Sequence, residues 1–340
     1  MSKIFISILV WSVASVLVVS AWATNPPADE KANPTSVITI DDFPSPFDEL
    51  DLDLEAMIWQ PDGDGPFPAI IMMHGSGGLY YKTDPLCEDD DRSCWGIAGK
   101  FRYWGKQLSQ SNRFGLPQKF LVIAPDSHTP RGYDHHGVAN IDPIDRPLNV
   151  SSYQGRPWDL YASLRYLQNR QDVDVDHIYV LGFSDGGGAV LSSLAATDNA
   201  ALVSMSNWFI GIDNNTSSGW LQMQSVALKG GVAFYPSCGF LGYFDGIYVN
   251  YAPLLVQTGL LDNTTPFSTC IERQTEAHGL GVSLLDFQAF GFDDMDHGFD
   301  YQQFDSTEAC VATQNALEFF NHKSGDYLFH HNFEVPVCAN

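Results

Sequence analysis

The stretch "YVLGFSDGGG" places Ser184 between Gly182 and Gly186, a G-x-S-x-G spacing. A serine so flanked suits a nucleophile held on a sharp turn between a strand and a helix. The bend brings backbone against backbone, so the flanking positions must lack bulk, and it leaves the hydroxyl exposed at a helix N-terminus. The spacing alone also fits an ordinary turn serine. The apolar run ahead of Ser184 and the small-residue helix start behind it favour the nucleophile. A hydroxyl attacks well only when a base within hydrogen-bond reach takes its proton, and a third group must orient that base.

The chain offers ten histidines as bases. If strands and helices alternate, the base belongs on a loop after the last strand, which points to His297 in "GFDDMDHGFD". His278 falls in a helix-like stretch, and His322, His330 and His331 fall in the terminal helix or tail. The adjacent His135 and His136 need not converge on one site, and a metal pair there is not expected. The orienting carboxylate is assigned to Asp262, delivered by "LLVQTGLLDNTTP" at the end of a buried-type strand. Asp293, Asp294 and Asp296 are rivals on the histidine's own loop. The chain order Ser184, Asp262, His297 is that of α/β-hydrolases. Acyl transfer also needs donors aimed at the developing oxyanion. "MMHGSGG" ends an earlier apolar run with a glycine loop whose backbone can approach a substrate. The backbone amide of Asp185 is one expected donor, and that of Ser76 is the second, with its neighbours as alternates.

These residues need a scaffold that gathers strand ends along one rim. Three short apolar runs, "PAIIMMHG", "FLVIAPDS" and "HIYVLGFS", read as strands buried on both faces. "GGVAFYP", "APLLVQTG" and "VSLLDFQAF" read as further strands, and "ELDLDLEAMIWQP" alternates like an edge or half-buried one. Between them lie helix-like stretches: "IAGKFRYWGKQLSQ", "PWDLYASLRYLQNR", "PFSTCIERQTEAHG" and "STEACVATQNALEFFNHK". In the second, Leu160, Leu164 and Leu167 share one face. The alternation predicts an α/β fold, a mostly parallel sheet with helices on both faces and its site at the carboxyl ends of the strands. Residues 24–45 are expected to be an extended N-terminal lead-in, with "TNPPADEKANPTS" mobile, and residues 46–340 a single domain. Two stretches near 79–95 and 198–230 are longer than simple connections and read as lids, pocket walls or surface loops.

Taken together, "IIMMHGSGG", "VIAPDSHTPRG", "VDVDHIYVLGFSDGGG", "YPSC", "GLLDNTTPFSTC" and "DHGFD" resemble the dienelactone hydrolase family of α/β-hydrolases. The resemblance spans roughly residues 50 to 322. It implies a Ser184, His297 and Asp262 triad and an oxyanion hole from the amides of Ser76 and Asp185. The chain departs from the founding lactone-cleaving enzymes, which carry a cysteine where Ser184 stands and a glutamate where Gly75 stands. A serine with a histidine base does not need that glutamate, so hydrolysis is expected but dienelactone is not the expected substrate. Arg131 in "TPRG" corresponds to a family arginine that holds a substrate carboxylate, with a surface salt bridge as its other reading. Tyr80, Tyr81 and Trp95 are expected to wall the acyl pocket.

Composition sets the remaining bounds. The chain has 340 residues, 44% hydrophobic, as a folded globule requires. A net charge of -24 argues against a nucleic-acid partner or an anionic membrane surface. Lys3, the uncharged "IFISILVWSVASVLVVSA" and "AWA" read as a secretory signal over residues 1–23, with an uncleaved anchor as the alternative. Export to a periplasmic or secreted location suits the six cysteines, Cys87, Cys94, Cys238, Cys270, Cys310 and Cys338. Pairing Cys87 with Cys94 is supported by proximity. Cys238 with Cys270 and Cys310 with Cys338 complete one scheme among several that the sequence leaves open. No C-x-x-C pair occurs, so staples are favoured over a metal site. The expectation is an exported serine esterase or lactonase acting on a small-molecule ester, with no cofactor and no metal. A peptidase of the same fold and a non-catalytic binding protein are the alternatives.

Overall fold

The computed structural model describes residues 25–40, 45, 47–48, 52–110, 112–195, 228–239, 248–284, 286–321 and 338. Its centre is an eight-stranded sheet ordered β1-β2-β6-β3-β7-β8-β9-β10. The strands are β1 (Ser36–Ile40), β2 (Leu54–Trp59), β3 (Phe67–Met73), β6 (Leu121–Pro125), β7 (Val173–Phe183), β8 (Gly231–Phe234), β9 (Leu254–Gly259) and β10 (Phe287–Phe292). β2 runs antiparallel to both β1 and β6, and every pairing from β6 to β10 is parallel. The apolar runs are continuous because both faces are covered. Ala69, Ile71 and Met73 of β3 join one core, while Ile70 and Met72 join the other. The first core packs under α2 (Arg156–Gln168), α3 (Asp185–Ser193) and α4 (Phe267–Gly279). The second packs under α1 (Gly99–Ser109) and, after the one-turn α5 (Phe299–Gln302), under α6 (Thr307–Asn321). Leu160, Leu164 and Leu167 are all buried against the first face.

The lead-in differs from the expected mobile segment. Ala32 donates its amide to the Arg102 carbonyl at 2.9 Å and accepts from Trp59 Nε1 at 2.9 Å, which docks the segment on α1 and β2. β1 then pairs with β2 along its length, so the sheet begins ahead of residue 46 and β2 is an interior strand. "SVITI" is short and lies mostly at the surface, so it shows no buried-strand signature.

Part of the 79–95 stretch is ordered as a hairpin, β4 (Tyr80–Lys82) against β5 (Trp95–Ile97), clipped by a disulfide between Cys87 and Cys94. Two further disulfides join Cys238 to Cys270 and Cys310 to Cys338. The 198–230 stretch lies outside the described residues except at its end, and the 1–23 segment lies wholly outside them. Among the described residues no helix is long and apolar enough to cross a membrane.

Candidate active site

Parallel strands carry their carboxyl ends to one rim, and the rim collects four loops. β7 runs into α3 through Ser184, whose backbone sits at φ 53° and ψ -117°. That region is strained for any residue with a Cβ. It is held by the Ser184 amide donating to the Phe234 carbonyl at 2.9 Å and by the Gly188 amide returning to the Ser184 carbonyl at 3.1 Å. The two flanking glycines have a steric cause. A Cβ on Gly182 would lie 2.2 Å from the Gly186 carbonyl oxygen, and one on Gly186 would lie 2.3 Å from the Met73 carbonyl oxygen.

His297 reaches the same point from the loop after β10. Its Nε2 is 2.9 Å from Ser184 Oγ and its Nδ1 is 2.7 Å from Asp262 Oδ2. Asp262 follows β9 in a tight turn. Its Oδ1 accepts the amides of Thr264 at 2.8 Å and Thr265 at 2.9 Å, and its Oδ2 also accepts the Thr265 hydroxyl at 2.7 Å. Burial would raise the Asp262 pKa, but the bonds from His297 and Thr265 outweigh it and hold the carboxyl below its usual range. An ionised carboxylate only accepts, so Nδ1 carries the proton and the Nε2 lone pair faces the serine hydroxyl. The rivals fall elsewhere. Asp293, Asp294 and Asp296 are exposed, and Asp296 accepts the His297 backbone amide. His278 pairs with the Phe287 carbonyl.

The glycine loop after β3 lies against the elbow. A Cβ on Gly75 would sit 3.5 Å from Ser184 Cβ. His74, fully buried at the start of this loop, contacts the Gly75 carbonyl through Nδ1 at 2.7 Å and accepts the Ser127 amide at Nε2, 3.0 Å away. Burial, aided by the Arg156 charge, pushes its pKa well down, so it is a neutral strut. Asp185 opens α3, where the first amides have no intrahelical acceptor.

The structure also brings in residues that the sequence did not flag. The Asp185 carboxylate accepts Arg146 Nη1 at 2.8 Å, the Ser152 hydroxyl at 2.5 Å and Arg156 Nη1 at 2.9 Å. Behind the imidazole, the Tyr235 ring lies 4.6 Å from the His297 ring. Its hydroxyl donates to Asp300, which also accepts Trp104 Nε1 at 2.9 Å and pairs with Lys100 at 3.3 Å. A basic residue at a helix start gives no sequence sign that it is buried.

Arg131 is the correction. Its side chain is only 2% exposed. Nε and Nη2 bind Asp48, Nη1 and Nη2 bind Asp159, and Nη1 also donates to the Ser127 carbonyl. All five guanidinium donors are engaged, which leaves none for a substrate carboxylate. It is a buried tie between Asp48 and Asp159 of α2. The hairpin aromatics are placed by other contacts. Tyr80 bonds Glu55 and packs 5.9 Å from Trp95, and Trp95 packs 5.6 Å from His135. Tyr81 is 44% exposed.

No family model matches the chain. Solved structures do match across most of its length. A candidate dienelactone hydrolase of Klebsiella pneumoniae is 16% identical over 84% of this chain and 98% of that one, with a TM-score of 0.48. Esterase 2 of Thermogutta terrifontis is 16% identical over 86% and 93%, with a TM-score of 0.49. Dipeptidyl peptidase 4 of Porphyromonas gingivalis is 14% identical over 86% of this chain and 36% of its own, with a TM-score of 0.50. The peptidase match at 0.50, together with the strand order, decides the architecture. The fold is that of the α/β-hydrolases. Identities this low speak to the fold alone, so the chemistry rests on the residues of this chain.

Proposed function

We propose that the protein is an exported serine hydrolase that cleaves a carboxylic ester or lactone through an acyl-enzyme, in the manner of the dienelactone hydrolase family. One observation carries the reading: a strained serine whose hydroxyl is 2.9 Å from an imidazole that is in turn 2.7 Å from a buried carboxylate. In this mechanism Ser184 Oγ bonds to the carbonyl carbon while its proton passes to His297 Nε2. The oxyanion is held by the amides of Ser76 and Asp185. Collapse breaks the bond to the leaving oxygen, which takes the proton from His297. Water then attacks the acyl-enzyme, its proton going to the same nitrogen; the bond from the acyl carbon to Ser184 Oγ breaks, His297 returns the proton to Oγ, and the acid leaves. Asp262 fixes the tautomer and stabilises the transient imidazolium. Tyr80, Tyr81 and Trp95 are proposed to border the acyl pocket. The 1–23 segment, read as a signal, and the three disulfides support export.

The test is a panel of esters, lactones and peptide amides assayed on the wild type beside Ser184→Ala, together with labelling by a fluorophosphonate. Ester or lactone turnover and labelling, both lost in Ser184→Ala, are expected. Cleavage confined to amides selects the peptidase reading. A folded wild type that neither labels nor turns over any substrate, or a Ser184→Ala variant with full activity, rejects the mechanism.

A further inference from the structure

The two amides assigned to the oxyanion belong to different elements, the loop after β3 and the first turn of α3. Their separation decides whether one oxygen can accept from both. The elements touch where Gly186 abuts the Met73 and His74 carbonyls, and a Cβ there would lie 2.3 Å and 2.5 Å from those oxygens. Arg156, the first residue of α2, is fully buried at this junction. Its Nη1 donates to Asp185 Oδ2 at 2.9 Å, and its Nη2 donates to the His74 carbonyl oxygen. A single planar guanidinium therefore spans the residue that carries one amide and the strand end that launches the loop carrying the other.

We infer that Arg156, acting through Asp185, is a positioning residue that sets the spacing of the two oxyanion amides. The inference rests on the ester-hydrolase reading above. The Asp185 carboxylate is the anchor. Its Oδ1 takes Arg146 and the Ser152 hydroxyl, so α2, α3 and the 141–152 segment meet on one side chain. Asp185 shares its carboxylate between Arg146 and Arg156, and arginine does not lose its charge over any working pH, so the tie persists across the range of an assay. Lysine cannot replace the fork, because one ammonium on a flexible stem does not fix two acceptors at a set spacing. His74 adds to the tie. Its buried ring holds the Gly75 carbonyl from within the loop, and its own carbonyl is the one that Arg156 grips.

The experiment compares Arg156→Lys and Asp185→Asn with the wild type on an ester and on the matching thionoester. Active serines are counted by end-point fluorophosphonate labelling, so rates refer to folded, competent protein. A thiocarbonyl sulfur is a larger and poorer acceptor than oxygen, so a well-set amide pair favours the oxygen ester. The expected result is a fall in kcat of about 100-fold with KM within about twofold, and an oxygen-to-sulfur rate ratio reduced by about tenfold. A merely structural role would lower the count of active serines and leave the ratio alone. If Arg156→Lys does not fold, Asp185→Asn and Arg146→Lys are judged by the same ratio. Unchanged kcat and ratio in the folded variants overturn the inference, even with wild-type activity that depends on Ser184. Loss of Ser184 dependence in the wild type instead removes the ester-hydrolase reading itself.

Discussion

Replacing Asp262 by asparagine changes one atom and should reverse the imidazole. Oδ1 is fixed as an acceptor by the Thr264 and Thr265 amides. An asparagine oxygen is therefore held at that position and its NH2 is directed to the position of Oδ2. That position lies 2.7 Å from His297 Nδ1 and 2.7 Å from the Thr265 hydroxyl. The NH2 donates, so Nδ1 must accept and the ring proton moves to Nε2, which faces Ser184 Oγ at 2.9 Å. The serine then meets an N–H where it needs a lone pair. Loss of the base and of imidazolium stabilisation is expected to lower kcat by about 10⁴-fold, or about 5.5 kcal/mol in the barrier. KM should stay within a fewfold because no contact to bound ester changes. The assay is initial-rate ester hydrolysis per active serine, run from pH 6 to 9, with circular dichroism to verify the fold. A folded Asp262→Asn variant within about tenfold of wild-type kcat refutes the argument, because Asp262 could not then be the group that sets the tautomer.

Arg131→Ala strands two buried carboxylates, Asp48 and Asp159, and should destabilise the fold by about 3–5 kcal/mol in urea titrations. Its KM for esters bearing a carboxylate should match that for neutral ones, and a selective rise would restore the substrate role denied above. Gly186→Ala forces a Cβ to 2.3 Å from the Met73 carbonyl oxygen, so soluble yield or melting temperature should drop sharply, with kcat falling in what folds. The lowered Asp262 pKa gives a pH signature. The folded state releases this proton more readily than the unfolded chain, so the contribution is full above about pH 5. It is lost as pH falls through the lowered native value. The stability gap between wild type and Asp262→Asn should narrow from pH 7 to pH 3, and a gap independent of pH would argue against it.

What the sequence disclosed follows from which physics is local. Ser184, Asp262 and His297 each stand just past a buried strand or its turn, and apolar runs ending in turn residues mark such places without a structure. The three meet because parallel strands share a carboxyl rim. Gly182 and Gly186 were readable because steric exclusion near an elbow leaves only glycine. Arg156 and Asp185 were not readable as a pair, since a charge in sequence has no sign of burial and its partner is 29 residues away. For the same reason the sequence left Arg131 between a substrate contact and a salt bridge; it makes the salt bridge, buried rather than at the surface, with Asp48 and Asp159 from separate segments. Tyr235 opens the "YPSC" run, but nothing in that run marks a place beside the imidazole. Its position behind His297 depends on β8 and β10 lying either side of β9. β1 was overlooked because its burial is slight and its order comes from pairing rather than from an apolar face.

That overlooked strand has a practical bearing on how the protein is handled. β1 covers the outer side of β2, a strand whose interior residues Met57, Ile58 and Trp59 are almost wholly shielded. Trimming an expression clone to begin near residue 46 would bare a line of unpaired amides and carbonyls next to apolar side chains, which is the template on which neighbouring molecules stack. A recombinant chain should therefore start no later than residue 25, ahead of the Ala32 dock on Trp59 and Arg102. Any affinity tag is better joined upstream of that dock than within it.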